Sequence, residues 1–140
     1  MEIQTHSNIH VWNPQFAHFP VLSTFFRSLS ERDLKIDINR CQQGVEIQFL
    51  NLVNSMPNRA RLRIFFPAES KCMLFFYKKS SIPFSRDRFS YGGVVIDARS
   101  TSRFDDKDVG EWIEFLISGL QPKFRPASLK KSLPYTVPED

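Results

Sequence analysis

The chain is short of cysteine, of long apolar runs and of catalytic signatures, and each shortage removes a class of protein. Cys41 and Cys72 are the only cysteines and show no CxxC spacing, so neither a disulfide-stapled scaffold nor a cysteine zinc site is encoded. Cys72 lies in an apolar run and Cys41 beside a turn signal, which reads as two free structural thiols. No secretory leader is recognisable, so a reducing, cytoplasmic setting is expected. No stretch nears the ~18 consecutive apolar residues of a membrane span, and no membrane partner is expected.

Chemistry is equally thin. His6, His10 and His18 are the only histidines, and they lack both an HExxH helix and a cysteine partner, so a metal site is not expected. No GxSxG elbow accompanies the serines. Gly92-Gly93 precedes a strand-like run, whereas phosphate loops precede a helix, so strand entry or a bulge explains the pair. Asp105, Asp106 and Asp108 cluster where a helix should start, which capping and the macrodipole account for. The expectation is a non-enzymatic protein without metal or cofactor; an enzyme would have to work through Asp97, near the glycines, or Glu46.

What is abundant is phenylalanine, 14 of 140 residues. That length suits one domain able to bury its own core, and the core should be aromatic. Charge is uneven. Residues 1–58 sum to −1, residues 59–103 to +7 and residues 104–140 to −2.

Apolar periodicity sets the elements. Ile9 and Val11 alternate with His10 and Trp12 as a short edge strand. Val21, Leu22, Phe25, Phe26 and Leu29 recur at helical spacing behind Pro20, giving a helix over about 20–32. From Leu34 the period becomes two: Leu34, Ile36 and Ile38, then Val45, Ile47 and Phe49, form a hairpin about a turn through Cys41–Gly44. A third strand carries Ala60, Leu62, Ile64 and Phe66 on one face and is stopped by Pro67. The run from Cys72 to Lys79 is apolar on both faces and should lie mid-sheet. Residues 80–91 read as a loop, and Val94 to Ala98 as the last strand. Val109, Trp112, Ile113, Leu116 and Leu120 make a second helix, ended by Gly119.

The expected fold is therefore α+β: a single-domain two-layer sandwich, with an antiparallel sheet of about five strands, an N-terminal and a C-terminal helix and an extended Pro-rich basic tail. Residues 1–120 form the domain and residues 121–140 the tail, which either packs along it or stays loose.

Functional residues are sought among the cations. Arg59, Arg61 and Arg63 alternate along the third strand, so their side chains should stand on one face about 7 Å apart, near the spacing of successive phosphates. Lys78 and Lys79 end the neighbouring strand. Arg86 and Arg88 alternate with Phe84, Phe89 and Tyr91, a mixture of cations and stacking rings that suits single strands. Lys123, Arg125, Lys130 and Lys131 add tail contacts. Together they suggest a module binding an acidic partner, with RNA or single-stranded DNA ahead of an acidic protein.

Two other readings stand beside that one. The first is a protein–protein adaptor, chaperone or inhibitor, as a homodimer or hetero-complex, with Trp12, Phe65, Phe84 and Phe89 as an apolar patch rimmed by arginine. In the second the arginines are structural, guarding an edge strand or pairing with Asp108, Glu111 and Glu114 of the second helix.

Overall fold

The computed structural model describes residues 14–32, 36–49, 60–79, 88–99 and 104–138. A 3₁₀ turn at Pro14–His18 leads into helix α1, Pro20–Ser30. Pro20 is tolerated at its start because the first helical N–H groups have no intrahelical acceptor. Val21, Leu22, Phe25, Phe26 and Leu29 form its buried stripe.

Five strands follow: β1 (Ile36–Cys41), β2 (Gly44–Phe49), β3 (Ala60–Ala68), β4 (Lys71–Lys79) and β5 (Arg88–Asp97). Each is antiparallel to the next, in the order β1-β2-β3-β4-β5. Short connections impose this meander, since a parallel pair would need a crossover of about a dozen residues or more. Helix α2 (Asp106–Ile117) comes last and begins with a reciprocal cap. The Asp105 carboxylate accepts from the Asp108 backbone N–H at 3.0 Å, and the Asp108 carboxylate accepts from that of Asp105 at 3.2 Å. Gly119, at φ 80°, turns the chain out of the helix.

The stripes of α1 and α2 pack on one sheet face, against Val45, Ile47, Leu62, Ile64, Leu74, Phe76, Val94 and Ile96. Phe16, Phe25, Phe26, Phe76 and Phe115 are all completely buried, and burying each such ring contributes about 1.5–3 kcal/mol. The result is the α+β two-layer sandwich.

Three details depart from the sequence pattern. The middle strand is β3, not the doubly apolar β4, which lies one place from the edge. Pro67 does not end β3; an irregular register between Phe65 and Ala68 absorbs it. Arg88, Phe89 and Tyr91, expected in a loop, belong to β5, which starts earlier because Lys79, Lys78 and Tyr77 offer it partners. The expected strand at 9–12 lies outside the described residues.

β4 is buried on both faces because residues 121–138 pack on the domain rather than hanging loose. Past a 3₁₀ turn at Pro122–Phe124, Trp112 donates its indole N–H to Ser128 Oγ at 2.7 Å. At the β5 edge Lys130 exchanges two backbone hydrogen bonds with Gly93, at 2.8 and 2.9 Å. Gly92 makes this approach possible: at φ +111°, a Cβ there would lie 2.6 Å from the Lys130 carbonyl oxygen. The chain then crosses to the second sheet face, where Leu133, Tyr135 and Val137 pack against Phe65, Met73, Phe75 and Tyr77. Ser132, Pro134 and Thr136, which alternate with them, are exposed.

Candidate functional site

Among the described residues, cations singled out in the sequence lie on both sheet faces. On the second face, β-pairing sets Arg63 opposite Glu46 and Phe75, and Arg61 opposite Gln48 and Tyr77. The expectation that these guanidinium groups stand in water is overturned. Arg63 is 0% exposed; its Nη2 lies 3.7 Å from Glu46 Oε2, and its Nη1 donates to the carbonyl oxygen of Pro138. Arg61 Nε lies 3.6 Å from Glu46 Oε1. Lys79 Nζ is 3.4 Å from Glu46 Oε2, and Tyr77 donates its hydroxyl to that same oxygen. Arg59 lies outside the described residues.

Glu46 is thus the hub of an ion network under the tail, with only 9% of its surface exposed. A carboxylate that deep is tolerated because cations and a hydroxyl replace its lost water. Arg88, on the neighbouring strand, lies over the Tyr77 ring at 5.7 Å and donates to the Pro138 carbonyl at 3.2 Å. The face grades from polar at β1 and β2, where Asp37 accepts from Asn39 and Gln48, to aromatic at β4, where Phe75 stacks on Tyr77.

On the helix side, at the far end of β4 and β5, a different surface remains open. Phe89 pairs with Lys78 and is 56% exposed, whereas Phe65, expected in the same apolar patch, is buried beneath the tail. Lys78 Nζ lies 5.4 Å from the centre of the Tyr91 ring, and Tyr91 meets Phe115 edge-on at 6.4 Å. Tyr91 also lines a groove of about 440 Å³ together with Phe115, Pro122, Arg125 and Lys131. Arg125 is also a structural strut, donating to the carbonyls of Tyr91 and Leu129. Lys123 sits over the ring of Phe124 at 5.1 Å, and Lys130 is exposed beyond its backbone bridge. Trp12, Phe84 and Arg86 lie outside the described residues.

Among the described residues, Arg61 and Arg63 pair with Glu46 and not with the acids of α2. Glu114 pairs instead with Arg32 at 2.5 Å. Asp97 pairs with Lys71 at 2.5 Å and remains a third exposed. That ammonium, with a second hydrogen bond from the Arg99 N–H, holds its carboxyl below the usual carboxylate range. Burial pushes the Cys72 thiol far up, which keeps it protonated and poorly nucleophilic. Among the described residues no His, Cys, Asp or Glu cluster could hold a metal ion, and no helix is long and apolar enough to cross a membrane.

Two features had gone unread in the sequence. Phe124, 41% exposed, is beside Phe89 the other exposed large apolar side chain among the described residues, and its place among prolines and lysines gives no periodic signal. Pro138 anchors the tail through a backbone carbonyl, an acceptor that residue type does not advertise. Comparison with family models, curated proteins and solved structures finds no match for this chain.

Proposed function

We propose that this domain is a non-enzymatic protein-binding module that docks an acidic partner segment carrying an apolar anchor, at the surface formed by Phe89, Lys78 and the Tyr91 groove. The observation that carries it is the exposure of Phe89 beside a cation in a protein that buries most of its described phenylalanine rings. Exposed aromatics with a basic rim supply both the anchor contact and the charge complementarity of a protein interface. Single-stranded nucleic acid fits less well. Arg61, Arg63 and Lys79 already face Glu46, so a phosphate chain would have to compete with a buried carboxylate for them.

Selection of displayed random peptides on the wild-type protein, counter-selected on Phe89→Ser, tests the proposal. Enriched peptides should combine aspartate or glutamate with an aromatic or aliphatic anchor. A selection in which nothing survives counter-selection, from a Phe89→Ser variant shown to be folded, would refute it.

A further inference from the structure

The second sheet face is covered by a segment without regular secondary structure. Beyond Lys130 the tail makes no backbone–backbone hydrogen bond to the sheet among the described residues. It is held by side chains at every second position, Leu133, Tyr135 and Val137, each only partly buried, and by the two guanidinium groups that receive the Pro138 carbonyl. Where it turns over the β5 edge it leaves a cavity of about 280 Å³ against Val95, Leu133 and Pro134. The sheet beneath is different: Phe65, Met73, Phe75 and Tyr77 are built into laddered strands and nearly or fully buried. A laddered apolar floor, a pair of donors at one end and a cover seated without backbone–backbone hydrogen bonds are the parts of a peptide-binding site already holding a ligand.

We propose that this face is a peptide-recognition seat, filled in cis by residues 133–138, and that it accepts from another protein an extended segment of the same chemistry. That segment carries apolar side chains at three alternate positions, and the next backbone carbonyl is received by Arg63 and Arg88. The alternation is required because only side chains two apart on an extended backbone reach the same floor. The carbonyl is required because Arg63 and Arg88 both donate to it, and an apolar group in its place would take away that acceptor. Binding in trans demands that the tail lift, so its apparent affinity is set by the fraction of molecules with the seat open. These residues are distinct from the Phe89 surface, and the two proposals fail independently.

The probe is the peptide Lys131 to Pro138, amidated at its end to keep the last carbonyl, with a fluorophore on its N-terminus. Its anisotropy is followed on the full chain and on the full chain carrying Tyr135→Ser, which weakens the cis segment but leaves the sheet intact. Tyr135→Ser should bind the probe roughly tenfold tighter or more than wild type, because more seats stand open. A peptide of the same composition with the alternation scrambled should not bind, and adding Arg88→Gln should lower the affinity again. Should Tyr135→Ser melt without cooperativity, Val137→Ala gives the same comparison with a smaller gain. A folded variant that ignores the probe, or binds the scrambled peptide equally, overturns the proposal. So does a wild-type dimer that Tyr135→Ser dissolves, since the seat would then belong to a second copy of this chain.

Discussion

Arg63 reaches across 75 positions of chain to hydrogen-bond the backbone carbonyl of Pro138. That one contact joins the centre of the sheet to its cover, and Nη2 of the same guanidinium faces Glu46. A residue placed to face solvent by alternation alone has become interior, since the segment that covers it arrives only near the end of the sequence.

Glu46→Gln should therefore be the most damaging polar substitution in the sheet. It leaves Arg61, Arg63 and Lys79 gathered around a neutral amide, and removing one partner of a buried ion network costs about 3 kcal/mol or more. Arg61→Gln should cost less, because the carboxylate keeps its other cations. Urea denaturation at neutral pH measures both, and equal midpoints would contradict the hub role of Glu46.

Tyr77→Phe removes the hydroxyl that donates to Glu46 while preserving the ring stacked on Phe75 at 5.2 Å. The expected loss is about 1.5–3 kcal/mol, the range for a hydrogen bond to a charged group. An unchanged denaturation midpoint would mean that water replaces the hydroxyl there.

Two glycine substitutions should act in opposite directions. Gly92→Ala forces a side chain into positive φ and against the Lys130 carbonyl, for an expected loss of about 1–3 kcal/mol. It should also speed hydrogen exchange at the Gly93 and Lys130 amides. Gly110→Ala lies within α2, where an added Cβ meets nothing within 4 Å, and should stabilise by about 0.5–1 kcal/mol.

Much of the fold was legible in these residues. Alternation and apolar runs located the strands of the meander apart from the first half of β5, and the Pro20 and Asp105 signals located both helix starts, because those patterns are local. The second face was not legible, since Arg61, Arg63 and Phe65 alternate like solvent-facing residues and a cover lacking regular structure has no period long enough to notice. The site was half legible for the same reason. Lys78, Phe89 and Tyr91 were singled out by residue type, but their placement on the helix side depended on where β5 begins and on the irregular register opposite Phe76 and Tyr77.

Acid should weaken the start of α2. The Asp108 backbone N–H, foremost among its hydrogen bonds, holds the Asp105 carboxyl below the usual carboxylate range. A native value below the unfolded one means a contribution present above the unfolded value and lost as pH falls through the native one. Asp105→Asn keeps a capping oxygen without the charge. Its melting temperature should approach that of wild type as the pH is lowered from neutral to strongly acidic, and a gap that stays constant would contradict the assignment.

Phe89→Ser should leave stability within about 0.5 kcal/mol of wild type, as exposed positions do, so any loss of binding reports on the surface itself. The most direct measurement is a pair of titrations, a selected acidic peptide and a single-stranded RNA, each on wild type and Phe89→Ser between about 50 and 200 mM salt. Expected is peptide binding that weakens roughly tenfold or more in Phe89→Ser, with the RNA bound only weakly in both proteins. Tight RNA binding that collapses with salt and ignores the substitution at Phe89 would contradict a protein-docking role.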